Sequence, residues 1–323
     1  MAALREERDA PFENALRPRA LRDFVGQERA KKLLDTALRA ARARQEPLDH
    51  VLLHGSPGLG KTTLAMILAG ELGVPLHVTS GAALERGADV LAQLNDLKDR
   101  EVLFLDEVHR LRKPVEELLY PALEDFRVDV AVGKGASARM LRLPVAPFTM
   151  VGATTRLGAL SAPFRNRFGL VIRLEPYTPG ELTRIATAAA GRLKVAIEAP
   201  AAAELARRAR GTPRIANHLL KRSRDWAQAH AAGTITVAAV RGALEEAGID
   251  ADGLDEMDRT LLSLLVNRYR GGPVGLRTWA IAAGEEPETV EEFYEPYLIQ
   301  AGFLLRTPQG RRAAPPAVDR FSR

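Results

Sequence analysis

Lys61 and Thr62 close the run "GSPGLGKT" (55 to 62), and a lysine and a hydroxyl placed after closely spaced glycines suit one task, holding a polyphosphate. Small residues let backbone N–H groups turn toward phosphate oxygens at the positive end of the following helix. Lys61 then reaches the β- and γ-phosphates, and the Thr62 hydroxyl can ligate Mg2+. A glycine-rich turn with a solvated lysine is the plainer account. Every position of the G-x-x-x-x-G-K-[ST] pattern is met, however, between a strand-like run and "LAMILAGELG", which reads as a helix. Further on, "VLFLDEVHR" ends an apolar run in Asp106 and Glu107, as a buried strand does at the carboxyl edge of a sheet, where ligands bind. Asp106 is expected to hold Mg2+, directly or through water, and Glu107 to orient or deprotonate an attacking water. The chemistry is hydrolysis of a nucleoside triphosphate.

These residues need a parallel sheet, and the first half of the chain alternates short apolar runs with amphipathic stretches in the βαβ pattern. Strands are expected at 50–54, 76–80, 101–106, 148–154 and 170–174. The stretch 125–145 reads as two alternating strands around "GKGAS", a hairpin inserted between helix and strand. Val128, Val130 and Val132 share one face of it, an apolar face expected to seek a partner, unless the hairpin packs on its own domain. Residues 1–180 thus form an α/β ATPase domain with a five-stranded parallel sheet. "EPYTPGEL" supplies two prolines and an N-cap threonine, so a small helical domain starts near Glu181 and runs to 249. Three helical stretches and a hairpin around "PQG" in 250–323 are expected to form a winged-helix domain.

Composition bounds the rest. The chain has 323 residues and no cysteine, which excludes disulfides, cysteine-ligated metals and thiol nucleophiles, and suits a reducing, cytoplasmic compartment. No run of about 18 apolar residues marks a membrane span, and residues 1–20 mix acids and bases unlike a targeting segment. A net charge of +5 is weak evidence for a polyanionic partner, but Arg306, Arg311, Arg312, Arg320 and Arg323 face a single acid, Asp319, in the last eighteen residues.

Two further features narrow the ATPase. "MVGATTR" ends a strand in Thr154 and Thr155; Thr155 could position the water if this strand neighbours "VLFLD", although threonine is also common in strands. In "APFRNRFG", one arginine could be a salt bridge, while Arg167 lies where a ring ATPase would point a cation into its neighbour's γ-phosphate. The order "GSPGLGKTT", "LFLDEVH", "GATTR", "FRNRFG", "RGTPRIANHLL" resembles AAA+ ATPases. With "LRPRALRDFVGQE", "LLYPALEDFRVD", "GGPVGL" and "YEPYLIQAGFLLRTPQGR", it closely resembles the bacterial RuvB family of branch-migration motors, from about Leu16 to Arg312.

The resemblance implies a fold and a set of roles. The fold is an α/β AAA+ P-loop core with a parallel five-stranded sheet, a small helical lid and a C-terminal winged-helix domain. Leu16 and Arg17 match an arm beside the adenine, and Phe24 and Val25 the stretch that packs on it. Gly58, Leu59, Gly60, Lys61, Thr62 and Thr63 match the phosphate loop, with Thr62 and Asp106 on the metal. Glu124, Asp125 and Phe126 match a nucleotide-adjacent turn, Thr155 the first sensor, Arg167 the arginine finger, Tyr177 a base contact and Arg214 the second sensor. ATP and Mg2+ are the implied cofactors. The implied partners are Holliday-junction DNA, further copies in a hexameric ring, RuvA at the 125–145 hairpin, and a junction resolvase through the complex. Ala131 and "GKGASARM" depart from the family at the hairpin, and Gln309 replaces the commoner arginine at the wing.

For DNA, the wing arginines Arg306, Arg311 and Arg312 suit backbone phosphates, which position a protein without reading sequence. The preceding helix carries Glu291, Glu292 and Glu295 and no base, so it is expected not to enter a groove. Protein unfoldases usually show an aromatic pore loop, which "SGAALERGADV" lacks. A DNA-bound switch would want a basic recognition helix, and clamp loaders generally carry "SRC" where this chain reads "NRFG".

Overall fold

The structure, a computed structural model, describes residues 12–132, 139–231 and 233–322. The "GKGAS" turn and Arg323 lie outside the described residues. Two compact units share the described residues: 17–55 with 60–175, and 12–16 with 56–59 and 176–322.

The first unit is built on five parallel strands: β1 (Val51–His54), β2 (Leu76–Ser80), β3 (Val102–Asp106), β6 (Thr149–Thr154) and β7 (Leu170–Arg173), in the order β2-β3-β6-β1-β7. All five expected strands are present, each within a residue of its expected bounds. β3 is buried up to Asp106 and β6 throughout, as near-continuous apolar strands covered on both faces should be. Pairing aligns their carboxyl ends: Ser80 faces Asp106 across β2 and β3, and His54 faces Thr154 across β1 and β6. The loops that follow β1, β3 and β6 therefore open on one edge.

The inserted hairpin consists of β4 (Arg127–Val132) and β5 (Arg139–Pro144), paired antiparallel with Val128 opposite Leu143 and Val130 opposite Leu141. The expectation that Val128 and Val130 present an apolar face to a partner is corrected here. Val128 is fully buried in the unit's own core and Val130 packs partly buried against it. The strand follows directly from the helix Lys113–Asp125, so that face folds back onto its own core. Exposure falls on β5 instead, where Met140, Leu141 and Leu143 stand in solvent. The side chain of Val132 lies outside the description.

In the second unit, four helices (Pro179–Arg192, Ala199–Arg207, Pro213–His230 and Val237–Glu246) form the lid. Thr178 caps the first through a reciprocal box with Glu181, the signal read from "TPGE". Beyond it, helices Glu256–Ser263 and Leu276–Ala283 and a helical run from Pro287 to Gln300, which widens to a π-turn at Val290–Tyr294, surround buried Trp279. A two-stranded wing, β8 (Leu304–Thr307) and β9 (Gly310–Ala313), follows, and Val274 bridges to Arg311 beside it. One further helix, Pro315–Phe321, was not expected in what read as a basic tail; Ala317 buries it against the same core. Among the described residues no helix is long and apolar enough to cross a membrane.

Candidate functional site

Lys61 opens the helix Lys61–Leu72 after Gly60, whose left-handed backbone (φ 103°) makes the sharp entry. Its side chain turns back so that Nζ donates to the Gly55 carbonyl at 2.8 Å, and the residue is 7% exposed. An ammonium so enclosed needs strong acceptors. The Gly55 carbonyl is one such acceptor, and phosphate oxygens held in the loop are others that would suit it. Thr62 and Thr63 follow, half-buried, in the first helical turn.

Asp106 ends β3 and accepts the Glu107 N–H at 3.0 Å. Glu107 adopts the left-handed conformation (φ 48°, ψ 52°), which costs a non-glycine residue about 1 kcal/mol and recurs where a side chain must be aimed. Because β6 is the sheet neighbour of β3, Thr155 arrives beside it, and its hydroxyl lies 3.4 Å from Glu107 Oε2. His109 completes the group. Its Nδ1 lies 3.1 Å from Glu107 Oε2 and 3.0 Å from the Thr154 hydroxyl. Sequence reasoning passed over this histidine, although its spacing two residues after Glu107 was in view. Gly81 is required alongside, since a Cβ there would collide with the Glu107 carbonyl.

Arg167 lies elsewhere. It precedes β7, whose first residue bonds to the His50 carbonyl just before β1, so it sits at the amino edge of the sheet. There it pairs with Glu124 at 3.1 Å, donates to the Pro163 carbonyl at 2.6 Å and lies 4.0 Å from the Tyr120 ring centre. Phe126 packs edge-on against the His50 ring at the same edge. Glu124, Asp125 and Phe126 were expected next to the nucleotide. They lie with Arg167 at the amino edge, whereas the phosphate loop follows the carboxyl end of β1. Asp125 pairs with Arg127.

Around the loop residues of the second unit, Tyr177 is 4% exposed and donates its hydroxyl to the Leu59 carbonyl at 3.2 Å. Gly58 has φ +76°, and a Cβ on it would come within 2.7 Å of Thr212 and 2.9 Å of Arg214. The lid loop therefore presses directly on the phosphate loop. Arg214 pairs with Glu13 at 3.1 Å. The hydrogen bond from His218, opposed by burial and helped by Arg214, holds the Glu13 carboxyl down at about 2. The Leu16 carbonyl accepts from Arg192 at 2.8 Å. In the first unit Phe24 is buried, Val25 is half-buried, and Arg17 reaches the Met66 sulfur at 3.1 Å.

The wing departs from expectation. Arg311 is not presented to solvent: its side chain is 11% exposed and pairs with Glu295 at 2.8 Å and Glu291 at 3.6 Å. Arg306 pairs with Glu291 at 3.0 Å but remains more than half exposed. The acids that seemed to bar the preceding helix from DNA are thus partly neutralised by the wing. Arg312 is exposed and forms no ion pair among the described residues.

A phosphate loop after β1, an acidic pair at the end of β3 one strand further on, a threonine after β6 between them, a helical lid and a winged helix together define a AAA+ P-loop ATPase. Three family models cover nearly the whole chain: the Holliday junction DNA helicase RuvB P-loop domain over residues 16–174, the RuvB AAA lid domain over 177–250, and the RuvB C-terminal winged helix domain over 251–322. The chain belongs to the RuvB family. It is 55% identical to the Holliday junction branch migration complex subunit RuvB of Thermobifida fusca, over 96% of this chain and 88% of that protein. Two solved structures of Thermotoga maritima RuvB, the branch migration motor and a single-substitution mutant of it, each share 50% identity with it. Their TM-scores are 0.86 and 0.87, covering 95% and 94% of this chain and 98% and 97% of theirs.

Proposed function

We propose that this chain is the ATP-driven motor of Holliday-junction branch migration, working in the cytoplasm as a ring, six-membered as the family resemblance implies, on the duplex arms of the junction. Family membership supports the activity. One observation carries the mechanism: Lys61, Asp106 and Glu107 lie at the carboxyl edge of the sheet and Arg167 at the amino edge. A single copy cannot bring its own arginine to its own nucleotide, so a second copy must lend one. Glu124 and Phe126, at the same edge as Arg167, would then face the neighbour's nucleotide.

Lys61 binds the β- and γ-phosphates within the loop. Among the described residues no cluster of three acids or histidines could cage a metal. A hydroxyl at Thr62 and a carboxylate at Asp106 fit Mg2+, which keeps its waters and binds largely through phosphates. That ion would neutralise charge developing between the β- and γ-phosphates. Glu107 accepts a proton from the attacking water, Thr155 orients that water, and His109 steadies the Glu107 carboxylate. Arg214 reads the γ-phosphate and Tyr177 contacts the base, with Leu16, Arg17, Phe24 and Val25 as the further base-side residues that the family resemblance implies.

On the DNA, Arg312 and the exposed part of Arg306 contact phosphates without reading sequence. RuvA is proposed to dock on the exposed Met140, Leu141 and Leu143 of β5, and a junction resolvase to join through that complex.

The test is turnover and strand exchange on a synthetic four-way junction, with and without RuvA. Lys61→Ala is expected to fold and lose ATPase activity. Arg167→Ala should bind nucleotide yet lose about 10³-fold in rate, and mixing the two should restore part of the turnover. No restoration in rings confirmed to be mixed would overturn the shared site.

A further inference from the structure

The loop 208–212 leads into the helix Pro213–His230, whose first turn carries Arg214, and touches the winged-helix domain through Arg208, Arg210 and Gly211. Arg210, in the left-handed conformation and 9% exposed, donates to the Gly253 carbonyl at 2.9 Å, to Asp255 at 3.0 Å and to Asp258 at 2.6 Å. Its guanidinium also lies 4.9 Å from the Tyr297 ring centre. Asp255 and Asp258 are the reciprocal cap of helix Glu256–Ser263, each accepting the other's backbone N–H at 2.9 Å. Two carboxylates this close repel unless a cation stands between them, and Asp258 is fully buried. Neighbouring contacts tighten the joint. A Cβ on Gly211 would come within 2.8 Å of Gln300, and one on Gly253 within 3.0 Å of Tyr297 and 3.2 Å of Arg208.

At its other end the same loop, with the first turn of that helix, presses Thr212 and Arg214 onto Gly58 of the phosphate loop. Gly58, the lid loop and the winged helix all belong to one compact unit. We infer that Arg210 is a positioning residue for the motor reaction: it ties the nucleotide-sensing lid loop to the winged helix, so that lid and winged helix travel as one rigid arm when the nucleotide changes.

A surface ion pair at this place would carry little. Enclosed, it behaves differently. Burial pushes the Asp258 carboxyl up to about 7 even beside Arg210, so without Arg210 it must take up a proton or stay a buried unpaired charge, whereas neutral residues of similar size can replace such a cluster without loss of folding. The pair Arg210→Met with Asp258→Asn keeps the packing and the helix cap while removing the tie.

The inference rests on the motor reading above, and the experiment separates the two. The chain has no cysteine, so Arg222→Cys on the lid and Arg277→Cys on the winged helix, both exposed, accept spin labels cleanly. In the otherwise unchanged ring, the distance between them is expected to stay constant between ADP and a non-hydrolysable ATP analogue. In the Arg210→Met, Asp258→Asn ring it should broaden or become nucleotide-dependent. That ring should keep KM and kcat for ATP near wild type while junction migration per ATP falls on the order of tenfold. A lid-to-wing distance that changes with nucleotide in the parent ring would overturn the inference, whether or not the double variant folds. So would wild-type migration per ATP in the variant, or ATPase and migration lost in equal proportion. A parent ring that hydrolyses ATP but moves no junction would instead defeat the motor reading, and the label distances alone would then decide the tie.

Discussion

Arg311 and Arg312 are neighbours in the chain with different work, because one is enclosed by Glu291 and Glu295 and the other is solvated. Arg312→Ala is expected to weaken binding to all DNA sequences alike and to make the salt dependence shallower by about 0.9, with unfolding in urea unchanged. Arg311→Met takes the nearer cation from buried Glu295, leaving Arg306 at 3.9 Å, and should destabilise the winged helix by about 3 kcal/mol. Its salt slope should hardly move. Equal salt-slope changes from both variants would refute this division. Composition alone marked both residues as basic wing positions. The carboxylates that capture one of them come from a helix earlier in the chain, and which arginine they meet depends on strand register.

The hairpin is an element whose pattern was read correctly and whose surface was not. Alternation along 127–132 and 139–144 sets two strands, and they form. Which face is covered depends on where the insertion leaves the core, and Val128 ends up inside it. Val128→Ala should therefore cost about 2 kcal/mol in urea unfolding with RuvA affinity retained once folded. Leu141→Asp, on the exposed strand, should leave stability within about 0.5 kcal/mol and weaken RuvA binding in a pull-down or titration. Reversed effects would restore the valine face as the docking surface. The helix starts were more legible: Thr178 with Glu181 is a local signal, satisfied by hydrogen bonds within one turn.

At the scale of the whole molecule, acid stability reports how the lid is held. Burial alone would raise the Glu204 carboxyl, but hydrogen bonds and charge from Arg241, Arg208 and Arg207 outweigh it and hold it down at about 2. The folded value lies below the ordinary 4.5, so this stabilisation is complete above about pH 4.5. It is lost as pH falls toward 2, up to about 3 kcal/mol. Glu204→Gln should flatten the unfolding free energy over that window, and an unchanged acid limb in urea titrations would refute the assignment. Glu204 and Arg207 are one turn apart and could have been paired by spacing. Arg241 comes from another helix and could not.

What this chain chemically holds was written in short stretches. The phosphate loop, the acids ending an apolar strand, the capped helix starts and the family likeness of the whole each depend on a few consecutive residues whose physics is local. Folding alone decided what lies beside what. The order β2-β3-β6-β1-β7 brings Asp106, Thr155 and the loop after β1 to one edge and leaves Arg167 at the other. The chain's path also sets Arg210 between two aspartates forty-odd residues away. Long-range partners of this kind are chosen by the packing of entire elements, and a residue's type fixes only whether it needs a partner.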